Sequence, residues 1–478
     1  MKNITIIKFL ALIIFCGQFF SACNVLDQKY PMGYDNTQIF NNPDKARLAA
    51  IGMYDAMQNS NFFGGRAQIY VDIRSEDTNP ASYFGAISTF DPTAGNGIVT
   101  DAWTAAYRTI SEINTFIDKI NANPDLLPLA EKNQYIAEGK FLRAVVYFYL
   151  VNFWGDQYTE HGTGLGVPLV LKSFDAGNAF TDEAKIPRST VAEVYNQIIK
   201  DLTEALPDLP VKGTPSINTL GRATKGAVYA MLSRVYLYKE DYASAISNAN
   251  LVTGYSLAPN LKSGVFTAPP TSSPEIIFFI AHSATDNPNT NNSIGQHYGR
   301  TRRADINVSL NYINNFDDTA DKRLTELIAT TGTSPNFTYW TEKYIAASNA
   351  DWAPVIRYGE VLLNKAEALA KSAASGVDPA ALGIINDIRA RSGAAAKVAS
   401  DFADKAAFVN YILAERRREL AFEGHGSFDL FRNKKGIAAG RGGVSVAAIP
   451  YPSDKFALPI PEADITKAPE IILQNPSY

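Results

Sequence analysis

Residues 412–432 read ILAERRRELAFEGHGSFDLFR. Ile412, Leu413, Leu420 and Phe422 recur at helical spacing, and Glu415, Arg416, Arg417, Arg418 and Glu419 fill the positions between them. On charge pattern alone this is a solvated helical face in which Glu415 reaches Arg418, or Glu419 reaches Arg416, one turn away. Gly424 supplies a stop, because glycine takes positive φ after a last helical turn without steric cost. His425, Gly426 and Ser427 then turn the chain, and Phe428, Leu430 and Phe431 return it to an apolar surface.

Helical periods recur on both sides of this stretch. Pro43–Asn59 starts on Pro43-Asp44, with Leu48, Ile51, Met53, Tyr54 and Met57 roughly on one side. Asp101–Asn121 repeats Trp103, Tyr107, Ile110, Ile113, Phe116, Ile117 and Ile120 at three and four, and Ala130–Phe153 is its expected partner. Thr190 and Glu193 form a capping box for a helix to about Leu206. Gly221–Val252 fits a tetratricopeptide helix–turn–helix, with Leu232, Ser233, Tyr236, Ala245 and Ala249 at the crossing positions. Arg357–Arg391 repeats the theme, so helix pairs without a strict period imply a degenerate solenoid half. Two stretches break the helical pattern. Residues 61–100 form a long irregular region rich in aromatics, including Phe62, Phe63 and Phe90. Residues 255–354 are rich in Asn, Ser, Thr, Gly and Pro, with one buried strand expected at Glu275–Ala281, a polar loop at Asn287–Arg303 and a second short strand earlier, at Val167–Val170.

The chain has 478 residues, a formal charge of −4 and 46% hydrophobic residues. That is a globular composition, and it carries no basic footprint for nucleic acid. Met1–Ala22 reads as a signal peptide: Lys2 and Lys8 precede the apolar run Phe9–Phe20, and Ser21-Ala22 directly precedes Cys23. Phe20-Ser21-Ala22-Cys23 looks like a lipobox, with Cys23 as the lipidated first residue. Removal of the leader with Cys16 leaves a single cysteine, so no disulfide forms within the mature chain. Each buried acyl methylene contributes about 0.8 kcal/mol, so several chains make the anchor essentially permanent. Residues 23–42 read as a tether, and 43–478 as one domain with helix pairs within 101–155, 189–252 and 355–432.

The order of parts in 412–432 resembles the Glu-Arg-Arg-x-Glu-Leu-x-x-Glu-Gly…Phe-Asp-Leu signature of the SusD/RagB family. Glu138–Asp156 (EGKFLRAVVYFYLVNFWGD), Pro187-Arg188-Ser189-Thr190, Gly221-Arg222-Ala223-Thr224, Arg357–Leu363, Asn386–Arg391 and the closing Leu458-Pro459-Ile460-Pro461…Gln474–Tyr478 resemble other family motifs in the same order. Gly426-Ser427 departs from the family, which more often has a large or basic residue before Phe-Asp-Leu. The resemblance implies a mainly α, SusD-like fold, with tetratricopeptide-type helix pairs in one half and a loop-rich, short-strand half carrying the ligand face. It further implies a non-catalytic outer-membrane lipoprotein, facing the cell exterior, that captures oligosaccharide and delivers it to a SusC-like TonB-dependent transporter in contact with its helical half. A peptide-binding RagB-like receptor on the same scaffold and a surface glycoside hydrolase with an α-helical body are the alternatives.

A hydrolase needs two carboxylates set across a bond. Asp72, Glu76, Asp77, Asp286, Asp317, Asp318 and Asp321 all lie in loops, where solvation or capping is their ordinary use, so no catalytic residue is assigned. The Asp317-Asp318…Asp321 run lacks the glycine and spacing of an EF-hand and reads as a cap for a helix containing Leu324, Leu327 and Ile328. Histidines 161, 282, 297 and 425 have no ligand spacing, and no cofactor motif is present, so neither metal nor cofactor is expected. Sugars pack C–H faces on flat rings and place hydroxyls on polar side chains. By that chemistry the ligand face is expected from Tyr70, Asp72, Arg74, Asn79, Tyr83 and Phe84 on one side, and Tyr298, Arg300, Tyr339, Trp340 and Trp352 on the other. Trp103 and Trp154 belong to helix-pair patterns and are assigned to structure.

Overall fold

The computed structural model describes residues 39–478 except 158–161, 175–180, 213–216, 268–269, 271, 347 and 441–446. The expected signal peptide, Cys23 and most of the expected tether therefore lie outside the described residues. Long helices run α1 Pro43–Met57, α2 Arg66–Asp72, α3 Gly97–Ala122, α4 Leu129–Trp154, α5 Val191–Ala205, α6 Lys225–Tyr238, α7 Tyr242–Leu251, α8 Tyr358–Ser372, α9 Pro379–Arg391, α10 Lys405–Leu420 and α11 Gly426–Arg432. They pack in succession: α1 on α3, α3 on α4, α4 on α5, then α6 on α7, α7 on α8, and α8 on both α9 and α10. The fold is mainly α.

α4 sits at the centre. From Phe141 to Trp154 nearly every residue is buried, the mark of a helix covered on all sides rather than an amphipathic one. Gly139 permits this, because a Cβ there would lie 3.1 Å from Met53 Sδ and 3.3 Å from Ile117. The capping box forms as expected, with Thr190 Oγ1 accepting from the Glu193 N–H at 3.2 Å and Glu193 Oε2 accepting from the Thr190 N–H at 2.8 Å. Trp103 donates to Asp464 at 2.6 Å and Trp154 to the Pro459 carbonyl at 3.1 Å, so both rings are structural.

Among the described residues there are eight short strands: β1 Thr78–Pro80, β2 Leu165–Pro168, β3 Arg188–Thr190, β4 Ile276–Ile280, β5 Ile306–Val308, β6 Ile328–Thr333, β7 Asn336–Thr341 and β8 Ala353–Arg357. The β4–β8 pair is buried throughout. The sheet β1–β5–β7–β6 is antiparallel and joins the two irregular regions of the sequence into one surface. Four expectations are corrected here. Residues 61–100 are not an open loop, since α2 is buried along its whole length. The strand expected at Val167–Val170 starts earlier, because its partner β3 pairs Thr190 with Leu165 and Arg188 with Pro168. Asp321 does cap a helix, accepting from the Arg323 N–H at 2.9 Å, but that helix is Lys322–Thr325 and Ile328 already opens β6. The polar loop at 287–303 contains two helical turns, Asn289–Asn292 and Ile294–Tyr298.

The largest correction concerns the charged run of α10. Glu415, Arg416, Arg418 and Glu419 are buried, not solvated. Glu415 does accept from Arg418 at 2.9 Å. Glu419 does not pair with Arg416; it binds Arg357 at 2.7 Å, Arg323 at 3.1 Å and also Arg391. Arg357 goes on to Glu275 at 2.6 Å and Glu423 at 2.7 Å, and Lys343 meets Glu423 at 2.6 Å. Arg416 turns instead to Asp429 at 2.7 Å and Asn364 at 2.6 Å. The network ties β4, β8, α9, α10 and the turn after α10 together. Gly359 leaves it room, since a Cβ would sit 2.5 Å from Arg357 Nη1 and 2.9 Å from Glu275 Oε1.

α10 ends at Leu420, and the first left-handed residue past it is Phe422 at φ +69°, so Gly424 is not the helix stop expected. Gly424 takes φ +81° within the following turn, which lies against α2, with Gln68 Cα 2.9 Å from where a Cβ would stand. Gly426, the departure from the family pattern, has a packing reason: a Cβ would lie 2.5 Å from Ser75 Cβ and 2.7 Å from its Oγ. Ser75 is pinned by its bond to the Asp72 carbonyl at 2.6 Å. Gly426→Ala is therefore expected to destabilise the fold by about 1–3 kcal/mol, the usual cost of overpacking, read as a lower urea midpoint with an unchanged m-value.

Candidate functional site

Tyr83 is the centre of the candidate face. Its side chain is 46% exposed, while its neighbour Phe84 is fully buried. In the 3₁₀ turn Ser82–Phe84 the two rings meet edge to face, 4.9 Å between centroids and 79° between planes, so the buried Phe84 ring helps fix the exposed one. The Tyr83 ring lies nearly parallel to the His297 ring, 6.4 Å between centroids and 14° between planes. Guanidinium groups flank it, Arg66 at 5.7 Å and Arg303 at 5.6 Å from the ring centre. Arg66 also donates to the Tyr83 hydroxyl at 3.1 Å. Arg303 is held by Asp305 at 2.8 Å and Asn291 at 3.0 Å. The aromatic platform is thus fixed before any ligand arrives, which spares the ordering cost of binding.

The sheet extends this face. Asn79 pairs with Asn307 in register, and Asn79 Nδ2 donates to Asn307 Oδ1 at 2.8 Å. Thr78, Val308 and Tyr339 line up on the inner side, where Thr78 and Val308 are buried and Tyr339 packs partly against the core. Alternation then puts Asn79, Asn307 and Trp340 on the outer side. Trp340 is half-buried and donates to Thr331 Oγ1 at 3.0 Å, which fixes its indole across the hairpin. Arg300 is exposed near the end of β7 and meets Glu342 at 3.1 Å.

The remaining expected ligand residues lie in the interior. Tyr70 is buried, its ring 6.5 Å from that of Phe84. Asp72 is buried and accepts from the Gly424 N–H at 3.2 Å and the Tyr298 hydroxyl at 3.1 Å, so it holds the turn after α10. Burial, then the neighbouring Asp77 carboxylate, push its carboxyl well above the usual range. Arg74 is buried over the Phe90 ring at 4.8 Å and donates to the Phe456 carbonyl at 2.7 Å. Tyr298 and Trp352 are buried, the latter donating to the His282 carbonyl at 2.8 Å. Tyr70, Asp72, Arg74, Phe84, Tyr298 and Trp352 are thus core groups in this conformation, and a ligand on the surface does not reach them. Sequence reasoning missed Arg66, His297, Arg303 and Asn307. No period-two signal reaches Arg303, because it lies in a turn and Ala304 takes φ +54° before the strand opens at Ile306.

Burial pushes the His297 imidazole down to about 4, against a smaller opposing pull from the Asp305 carboxylate that accepts from Nδ1 at 2.8 Å. The ring behind Tyr83 is therefore neutral at neutral pH. His282 is likewise pushed to about 4, by burial alone. Between pH 6.5 and 4 the unfolded chain takes up a proton at His282 that the folded chain refuses, so stability falls as pH falls through that window. Over the whole window the loss from this group is about 3 kcal/mol. His282→Asn is expected to flatten that slope, measured as ΔG of unfolding at pH 7 and pH 5; an unchanged slope contradicts the assignment.

Among the described residues no group of three His, Cys, Asp or Glu side chains is placed to hold a metal ion. Asp317, one of the acidic candidates, is taken up by Arg389 at 3.0 Å and Lys397 at 2.8 Å. Among the described residues no helix is long and apolar enough to cross a membrane.

Comparison with known proteins gives a consistent result. Residues 26–237 match a family model described as "Starch-binding associating with outer membrane", of SusD-like type, and residues 325–478 match one described as "SusD family". The chain is 26% identical to the SusD-like protein P38 of Formosa agariphila over 497 aligned positions, covering 91% of this chain and 92% of that one. A SusD superfamily protein from Bacteroides vulgatus superposes with a TM-score of 0.79 at 26% identity, covering 91% of this chain and 99% of that one. One from Bacteroides fragilis does so with a TM-score of 0.79 at 25% identity and the same coverage.

Proposed function

Since this chain belongs to the SusD/RagB family, a family of carbohydrate-binding proteins at the cell surface, we propose that it captures an oligosaccharide on the face built around Tyr83 and passes it on intact. The observation that carries this reading is an exposed ring held rigid by Arg66, Arg303 and His297 at the edge of a polar sheet face. A sugar ring lays its C–H face on Tyr83, and a second ring reaches Trp340. Asn79, Asn307 and Arg303 offer hydrogen-bond partners for the hydroxyls. No covalent step is assigned: the acidic side chain nearest the platform, Asp305, is occupied by Arg303 and His297. Cys23 carries the lipid that holds the protein on the outer membrane, facing the exterior. The receiving partner is a SusC-like TonB-dependent transporter, contacted by the helical half.

Affinity electrophoresis of the whole chain through gels containing different polysaccharides, with chromatography of any glycan that retards it, tests this. Retardation by at least one polysaccharide with no shortened products is the expected result. Retardation with shortened products establishes the hydrolase alternative, and binding of peptides but no glycan establishes the receptor alternative.

A further inference from the structure

α10, the residues before β1 and the chain after α11 enclose a cavity of about 310 Å³. That is about ten water volumes, room for a molecule of roughly nine or ten non-hydrogen atoms. Its lining is unusual in two respects. Full charges of both signs face it in balance: Arg416, Arg417 and Lys435 against Glu76, Asp77 and Asp429. Its apolar walls are aliphatic, Leu413, Leu420 and Leu430, and among the described lining residues the one ring is the His425 imidazole, with no Phe, Tyr or Trp.

The charges deepest in the cavity are already spent. Arg416 and Asp429 satisfy each other at 2.7 Å, and Asp429 also takes Arg432 at 2.7 Å. Those towards the mouth are not. Arg417 gives Nε to Asp77, yet its Nη2 is shut off from solvent and has no hydrogen-bond partner among the described residues. A buried guanidinium N–H left unpaired costs free energy that an acceptor in the cavity recovers. Among the described residues Lys435 reaches only Asn410 Oδ1, at a long 3.4 Å, and Glu76 accepts at one oxygen from the Ala438 N–H at 3.1 Å.

We infer that this cavity is a second binding site, for a small zwitterion with an aliphatic side chain, of the free α-amino acid class. The ligand carboxylate lies against Arg417 Nη2 and Lys435, its ammonium against Glu76 and Asp77, and its side chain against Leu413 and Leu430. Balanced charge excludes a simple anion or cation as the better fit, because either leaves one set of lining charges facing its own sign. The lack of a Phe, Tyr or Trp ring argues against a sugar, whose C–H face packs on such rings. The site shares no residue with the Tyr83 face, so the two readings stand or fall separately.

Calorimetric titration of the whole chain with L-leucine and with D-glucose tests it. L-Leucine is expected to bind one to one, and D-glucose to give no heat from this site. Lys435→Met and Glu76→Gln, both at the mouth, are each expected to weaken L-leucine by about tenfold or more, since each removes a charge-assisted contact. Tyr83→Ala is expected to leave L-leucine binding unchanged. Absence of saturable L-leucine binding, indifference to both mouth variants, displacement by D-glucose, or loss in Tyr83→Ala overturns the inference. Circular dichroism of each variant confirms that a loss is not unfolding.

Discussion

Glu419→Gln is expected to destabilise the protein by about 3–5 kcal/mol, although it changes neither size nor shape. Glu419 is fully buried and faces Arg323, Arg357 and Arg391 at once. Removing its charge leaves buried cations under-neutralised, and the energy of breaking one partner of a buried cluster far exceeds what the intact cluster adds over an apolar core. The same surroundings, foremost the Arg391 and Arg357 guanidiniums acting against burial, hold the Glu419 carboxyl well below the usual range. A depressed carboxylate contributes stability that is present above the unfolded value and lost as pH falls through the folded one. The difference between wild type and Glu419→Gln should therefore be largest near neutrality and shrink at acid pH. Glu204→Gln is the comparison: Glu204 pairs with Lys140 at 2.8 Å on the surface, and its loss is expected to cost under about 1 kcal/mol. Urea unfolding of both variants at two pH values checks the account. Equal effects of the two would show that burial of the network is not what makes it matter.

Tyr83→Ala is expected to weaken the retained glycan by about 2 kcal/mol, roughly thirtyfold in Kd, with the melting temperature nearly unchanged. The exposure that makes Tyr83 a platform also makes it dispensable to the core. Phe84→Ala makes the converse test, since its buried ring packs against Tyr70 and His297 and its loss falls first on stability. Tyr83→Phe separates stacking from hydrogen bonding: it keeps the ring and removes the hydroxyl that accepts from Arg66, and most of the affinity is expected to survive. A fall as large as in Tyr83→Ala would move the binding energy from the ring to the hydroxyl.

The helical half was legible because its physics is local. α3 follows from apolar residues at three and four, α4 from a long helix-length apolar run, and the Thr190–Glu193 box marks the start of α5 at the residue. The buried charge network was not legible in the same way. Alternating Glu and Arg on a helix reads as solvent-facing, and only the arrival of Arg357, Arg323 and Arg391 from distant segments shows that the face is interior. Motif order signalled the family where charge pattern pointed elsewhere. The ligand face divided for a related reason. Residue type identifies a ring able to stack on sugar but not the side of the fold it occupies, so adjacent Tyr83 and Phe84 have opposite fates. Asp72 and Arg74, on a buried helix and just past its end, serve the turn after α10 and the C-terminal segment instead.

The central claim, that a rigid ring at the edge of a polar sheet holds a glycan and leaves it whole, is tested most directly by a crystal structure with the retained oligosaccharide. An intact chain with one sugar ring stacked on Tyr83 within about 4 Å, and hydroxyls on Asn79, Asn307 or Arg303, is the predicted result. A glycan seated elsewhere with Tyr83 bare, or a cleaved one, contradicts it.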